Sequence, residues 1–194
     1  MSTSAARGAN IDALVKATSI AWEDWTARLD AAGGRDLDHR GLVEHTLAAI
    51  QERGGCTNPE WWAQMTSVAY EQHIGRRLPG QRGDGTFDAN ASRTVPGTMD
   101  EAHARVCEVF ASALAEDGSA WALQGEPRTS ATQKWRYWRA DFTDGTSVAL
   151  TVNDKKVADG AAPKATVALG HAKLPSPESV TEAKAFWKGV LGRL

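Results

Sequence analysis

The chain has 194 residues, of which 42% are hydrophobic and 24% are charged, and its formal net charge is −2. This length suits one large domain or two small ones with a buried core, and the composition argues against wholesale disorder. The net charge gives no general attraction to nucleic acid or to anionic lipid. No apolar run reaches the length of a membrane-spanning helix and no apolar stretch follows Arg7, so we expect a soluble, cytoplasmic protein.

Two residue types stand out in the composition. Cys56 and Cys107 lie far apart and form no C-x-x-C pair, so they are interpreted as reduced thiols and not as a metal or redox site. Tryptophan is frequent, with eight residues against two tyrosines. Many of the tryptophans fall in local pairs, which is typical of aromatic side chains that anchor a core: Trp22/Trp25, Trp61/Trp62 and Trp135/Trp138.

The first half of the sequence predicts a small bundle of helices, from cap residues and apolar stripes at three- and four-residue spacing. The predicted starts of the first three helices are Asn10, then Thr18 or Ser19, then Asp36 or Asp38. The predicted stops are the glycine pairs Gly33-Gly34 and Gly54-Gly55, because glycine readily adopts the left-handed conformation that ends a helix.

The fourth helix has the strongest start signal. Asn58 stands at the cap position and Pro59 at the first helical position, which is where proline is favoured. The helix is expected to end near Arg76-Arg77. Its spacing predicts one inward face: Trp61, Trp62, Met65, Val68 and Ala69.

A composition break at 78–85, with one proline and three glycines, marks the predicted domain boundary. We expect a helical domain over 1–83 and a second domain over 84–194. From Phe87 onward apolar and polar residues alternate, as in a strand, and Thr98 with Glu101 predicts a capping box that opens a helix.

The remainder predicts three strands, at 133–142, 146–152 and 165–174, followed by a C-terminal helix that opens at Ser176-Pro177. The predicted fold is therefore α+β, with helices against one face of an antiparallel sheet. The C-terminal helix is expected to bury one side: Val180, Ala183, Trp187, Val190, Leu191 and Leu194.

The turn at Asp144-Gly145 allows two hairpin registers. A three-residue loop with Gly145 left-handed pairs Phe142 with Thr146 and places Trp138 on the same face as Leu150. A two-residue turn breaks up this apolar face, so we expect the three-residue loop, with Trp135 and Tyr137 on the opposite face.

These elements carry a resemblance to a known family. The chain resembles bacterial SRPBCC, or START-like, proteins of the branch related to the activator of the heat-shock 90 ATPase, in which a helical extension with a W-W-x-Q motif precedes the first strand. The resemblance extends from Trp22 onward and includes the D-G-T turn at Asp144, the HAKLP run from His171 and Trp187-Lys188. Its residues at the domain junction are Trp61, Trp62, Gln64, Tyr70, Glu71, Gly75, Arg77, Gln81, Asp84, Gly85, Phe87, Ser92, Arg93 and Thr94.

The resemblance implies a helix-grip domain, in which a curved antiparallel sheet packs on a long C-terminal helix and a small apolar ligand can bind between them. The segment 111–132, where family members place a short helix and further strands, is short here, so a smaller groove is expected. The candidate cavity lining is Phe110, Trp138, Phe142, Leu150, Leu169 and Trp187.

No catalytic, cofactor or metal site is predicted, and an enzyme is neither required nor excluded. The five histidines form no ligand spacing with one another or with a cysteine. Glu71 and Asp84 are a possible carboxylate pair that nothing brings together. The run 135–139 (WRYWR) interleaves aromatic and basic residues as single-strand binders do, but strand alternation places neighbours on opposite faces.

Three functions remain open. The first is binding of a small apolar ligand between the sheet and the C-terminal helix. The second is a protein-interaction or regulatory module with a solid core, in which the helical domain or the outer sheet face docks a partner. The third is a helix-turn-helix nucleic-acid binder, which the excess of acidic over basic residues in the first 84 positions opposes. We therefore expect neither a nucleic-acid nor a membrane partner.

Overall fold

The computed structural model describes residues 8–116 and 121–194; the predictions for the first seven residues lie outside this part of the chain. Within the described residues it has an α+β fold of six helices and one antiparallel sheet of five strands, which is not closed. The chain divides into two compact units, Met1–Gln81 and Arg82–Leu194. The boundary predicted from the sequence composition lies two residues later, between positions 83 and 84.

Unit 1 contains four helices: α1 (Ile11–Thr18), α2 (Trp22–Ala31), α3 (His39–Arg53) and α4 (Pro59–His73). Two predicted caps are confirmed, because the side chains of Asn10 and Asp38 accept hydrogen bonds from backbone N–H groups in the first turns of α1 and α3. Asn58 precedes α4 as predicted, but in a left-handed conformation and without a side-chain cap bond. Gly54 ends α3 at φ 71°.

The predicted start of α2 at Thr18 or Ser19 is wrong. Helix α2 begins after Ala21, which offers no side-chain cap. The hydroxyl of Thr18 is buried and donates to the carbonyl of Leu14, while Ser19 closes α1 in the left-handed conformation at φ 55°. Both residues therefore belong to the end of α1, and local spacing alone cannot distinguish a cap from a stop.

The predicted inward face of α4 is also wrong in part. Trp61 is 54% exposed, and Trp62, Met65 and Val68 are only partly buried. The buried face consists mainly of smaller residues that pack toward α3. The hydroxyl of Thr46 on α3 lies 3.1 Å from the carbonyl of Ala63. A close approach of two helices at this point leaves no room for a tryptophan, so the face rotates: Ala63, Thr66, Ser67, Ala69, Tyr70 and Glu71 are buried.

Unit 2 contains the sheet and two helices. Its elements in chain order are β1 (Phe87–Pro96), α5 (Met99–Ala115), β2 (Arg128–Ala131), β3 (Arg136–Asp141), β4 (Ser147–Lys155), β5 (Lys164–Leu174) and α6 (Pro177–Gly192). The strand order is β1-β5-β4-β3-β2 and every neighbouring pair is antiparallel. The predicted capping box of Thr98 and Glu101 is present at the start of α5, and the Ser176 side chain caps α6.

Strand β2 lies inside the segment 111–132, where no strand was predicted; residues 117–120 of that segment lie outside the described residues. All four residues of β2 are exposed. A strand at the edge of a sheet that buries neither face has no apolar alternation, so its sequence carries no strand signal.

The predicted hairpin register is confirmed. Phe142 N–H donates to the Thr146 carbonyl at 3.0 Å across a three-residue loop, and Gly145 has φ 84°. Trp138 therefore pairs with Leu150, and both side chains are buried. Because side chains alternate along a strand, this register sets one continuous apolar face against α5 and α6.

We predict that Trp138→Ala lowers the free energy of unfolding by about 3–5 kcal/mol, because it removes a large aromatic side chain that is 3% exposed from a packed core. Trp135→Ala is the matched control, since Trp135 is 38% exposed, and it should cost much less. Urea unfolding followed by circular dichroism measures both. A larger loss in the Trp135 variant would contradict the packing described above.

Candidate functional site

The residues singled out for chemistry do not assemble into a catalytic group. Within the described residues no cluster of three or more His, Cys, Asp or Glu side chains is placed to hold a metal ion. Glu71 is engaged by basic residues of unit 1, whereas Asp84 accepts hydrogen bonds from Thr86 in a turn of unit 2. None of the described helices is both long and apolar enough to cross a bilayer.

The six predicted lining residues do come together, but as parts of one packed core. Each of them is between 0% and 3% exposed. The Phe110 ring stacks on Trp187 at 5.3 Å and meets the edge of Trp138 at 5.2 Å. Leu150 pairs with Leu169 across β4 and β5. These six side chains therefore fill the space between sheet and helices with contacts to one another.

Trp121 also belongs to this core, although the sequence pattern does not predict it. Its ring lies 5.0 Å from the ring of Phe186 and 6.0 Å from that of Trp187, and it is 6% exposed. It comes from the segment 111–132, which is short and rich in Ala, Gly and Ser. A single tryptophan in a stretch without helical or strand periodicity gives no core signal, although its size alone favours burial.

A chain of hydrogen bonds crosses the core beside these rings. The Trp187 indole N–H donates to Nδ1 of His171 at 3.0 Å, and the other ring nitrogen lies 2.8 Å from the Thr146 hydroxyl. Because an indole nitrogen only donates, Nδ1 must accept and Nε2 must carry the proton. Thr146 in turn donates to Asp144 at 2.7 Å. Burial lowers the pKa of His171 from 6.5 to about 4, although the Asp144 carboxylate acts in the opposite direction.

This series of hydrogen bonds gives the D-G-T turn, the HAKLP run and the tryptophan of α6 one shared structural role. His171 is fully buried, and both of its ring nitrogens have a partner, so it presents no free atom to a substrate. The network ties the β3–β4 hairpin and β5 to α6. We interpret it as a device that fixes the core and not as an acid–base site.

A second network lies in unit 1. The buried Glu71 carboxylate accepts hydrogen bonds from Arg76 and Arg77, each at 3.1 Å, and also lies 3.1 Å from Nδ1 of His39. Arg77 donates in addition to the backbone carbonyl of Gln81. The network holds the segment after α4 against α3 and α4. Its carboxylate and its basic side chains are partners of one another.

The opposite face of the sheet is open. The strand positions that point away from α5 and α6 include exposed Asn90, Ala149 and Arg139. Small and polar side chains form two rows across four strands: Arg139, Ala149, Gly170 and Asn90, then Tyr137, Thr151, Ala168 and Ser92. We call this surface, from β1 to β2, the outer face.

Two shallow depressions lie at the outer face. One of about 460 Å³ runs over β1, β5 and β4 and is lined by small residues such as Ala149 and Gly170. The other, of about 330 Å³, lies at one end of the sheet between Trp135, Lys134 and Asn153. A larger depression of about 680 Å³ lies in unit 1, where the Arg28–Glu52 ion pair occupies its wall.

A comparison with protein-family models finds no match, and comparisons with curated proteins and with solved structures find none either. The resemblance to START-like proteins therefore stays a prediction from the sequence.

We predict that stability falls as the pH drops from about 6.5 to about 4. The folded state holds His171 neutral, with its pKa lowered to about 4, whereas the unfolded chain takes up a proton near 6.5. The stabilisation is complete above 6.5, and up to about 3 kcal/mol is lost through this interval. Urea unfolding at a series of pH values measures the slope.

Two histidine variants separate this effect from the general loss of stability in acid. His171→Leu should flatten the decline between pH 6.5 and 4, whatever it costs at neutral pH, whereas His45→Leu at an exposed position should leave it unchanged. Equal slopes in wild type and in His171→Leu would rule the explanation out.

We predict that Glu71→Ala destabilises unit 1 by about 2–4 kcal/mol, because it leaves Arg77, whose side chain is 16% exposed, and the more exposed Arg76 without their carboxylate. Glu44→Ala is the control. It breaks the Arg40–Glu44 pair, whose side chains are 87% and 67% exposed, and should cost less than about 1 kcal/mol. Equal losses in the two variants would refute a buried charge network.

Proposed function

We propose that this protein is a non-catalytic binding module that docks a partner protein on the outer face of the sheet. The observation that carries the proposal is the contrast between the two faces: one is filled by side chains that contact each other, and the other is exposed. Strand alternation produces this contrast directly, since successive residues of one strand face opposite sides.

The filled inner face argues against a family-style ligand cavity. A drug-sized ligand needs roughly 300 Å³ of concave apolar space, yet the Phe110 ring lies within contact distance of both Trp138 and Trp187. A ligand would have to displace buried aromatic rings, each of which contributes several kcal/mol to stability. An open antiparallel sheet under a long C-terminal helix supports the helix-grip interpretation, which we adopt with its groove closed.

The outer face has the composition of a docking surface. It combines aromatic residues and arginine, which are enriched among the residues that dominate protein–protein binding energy, with a shallow central depression lined by small side chains. Arg139 lies over the Tyr137 ring at 4.7 Å, so one anchor is already ordered. A side chain that is ordered before binding loses less conformational entropy on binding.

We predict that a photo-crosslinking amino acid in place of Ala149, an exposed residue at the centre of the outer face, forms a discrete adduct with a protein of the source cell. The same amino acid in place of Lys188, an exposed residue of α6, should form none, because α6 lies on the other side of the sheet. The measurement is mass spectrometry of adducts after irradiation.

Competition and dye binding complete this test. Excess wild-type protein should suppress the Ala149 adduct, whereas an Ala149→Arg competitor should not. Titration with an anionic hydrophobic dye should give no saturable signal. Saturable dye binding that Leu150→Phe abolishes without unfolding the protein would instead establish an inner cavity. Adducts from position 188 alone would place the docking surface elsewhere.

A further inference from the structure

The outer face carries more positive than negative charge, although unit 2 as a whole does not. Arg128 on β2 is neutralised by Asp141 at 2.8 Å. Arg139, Lys155 and Lys164 also lie on this face, and no described carboxylate lies within ion-pair distance of them. The face therefore presents three uncompensated cations.

Two of these cations face each other across neighbouring strands. Lys155 on β4 pairs directly with Lys164 on β5, and the Lys155 ammonium reaches over β5 to the Thr94 hydroxyl on β1 at 3.2 Å. Like charges directly opposite in a sheet are destabilising. The fold thus keeps a repulsive pair at an exposed position where a neutral residue would be more stable, and an anion bound there would remove the repulsion.

The acidic residues near this corner of the sheet are outnumbered by basic ones. The Asp154 carboxylate accepts a hydrogen bond from the backbone N–H of Met99, and Asp100 is paired with Arg136. Residues 154–164 contain two acids, Asp154 and Asp159, against Lys155, Lys156 and Lys164. The formal net charge of this segment is therefore +1.

An exposed aromatic ring borders the same corner. Trp135 is 38% exposed and lines the 330 Å³ depression together with Lys134, Asn153 and Asp154. Asn153 precedes Lys155 by two residues and therefore lies on the same face of β4. A partner segment placed over Lys155 and Lys164 thus also meets an apolar ring and an amide.

We propose that the outer face binds an acidic protein segment, whose carboxylates lie against Lys155, Lys164 and Arg139 and whose apolar side chains pack on Trp135. This inference rests on the proposed function and adds the chemistry of the partner. Charge complementarity supplies the attraction, and the small side chains of Ala149 and Gly170 let the partner backbone approach the sheet closely.

A protein partner fits better than a nucleic acid or a membrane. Single-stranded nucleic acid binds where successive bases stack on successive aromatic rings, but the guanidinium of Arg139 already covers Tyr137, and Trp135 alone remains. Three outer-face cations are uncompensated, whereas Arg128 is held in an ion pair with Asp141. An anionic membrane surface calls for a larger cluster of basic residues with a strongly apolar rim.

The test is fluorescence anisotropy of a labelled peptide of Glu-Glu-Leu repeats, with a Gln-Gln-Leu peptide as neutral control. The wild-type protein should bind the acidic peptide, with an affinity that falls as the ionic strength rises. The Lys155→Glu/Lys164→Glu double variant should weaken binding about tenfold, and Trp135→Ala should also weaken it. Lys184→Glu/Lys188→Glu, an equal charge change at two positions of α6, should not.

Each other outcome overturns the inference. These outcomes are absent binding, equal binding of the neutral peptide, or tighter binding of oligo-deoxythymidine or phosphatidylserine vesicles than of the acidic peptide. The proposed function is judged separately by the Ala149 crosslink. A crosslinked partner whose adduct survives Lys155→Glu/Lys164→Glu would retain outer-face docking and reject the acidic segment.

Discussion

The hydrogen bond from the Trp187 indole to His171 is the interaction on which the rest of unit 2 depends. Both residues are fully buried, so each polar atom needs a partner inside the protein or it destabilises the fold. The bond forces His171 to be neutral, which directs its remaining proton to Thr146 and fixes the hairpin turn at Asp144. The helix α6, the strand β5 and the β3–β4 hairpin are thereby held in one relative position, and Phe110 and Trp138 pack in the core that they form.

The closed core determines which surface remains for function. Because the hairpin register points every second residue inward, the buried apolar side chains of β3, β4 and β5 pack in one core with those of α5 and α6. The residues between them, which face outward, are mostly small or polar. They neither pack together to cover this face nor enclose a ligand. The same alternation that builds a solid interior therefore leaves an exposed surface with shallow depressions, and open, shallow surfaces suit macromolecular partners better than small molecules.

The features that the sequence predicted correctly are those decided within a few residues. The capping box of Thr98 and Glu101 and the loop around Gly145 are local choices with few alternatives. The failures are those that a distant partner decides. Trp61 was expected inside, but the close packing of α3 on Ala63 rotates α4 and exposes it. The candidate lining residues were placed together correctly, yet spacing cannot tell a lined cavity from a filled one, because both require the same inward pattern.

The basic corner illustrates the same limit for charge. Along the chain, Trp135, Tyr137 and Arg139 belong to a run whose neighbours alternate between faces, and that alternation was a reason to discount the run as a binding surface. It is equally a reason to group these three residues, since positions two apart share a face. Lys155 and Lys164 join them only through the pairing of β3 with β4 and of β4 with β5, which no linear pattern contains. A binding surface on a sheet combines residues from several strands, so its charge can be predicted only once the strand register is known.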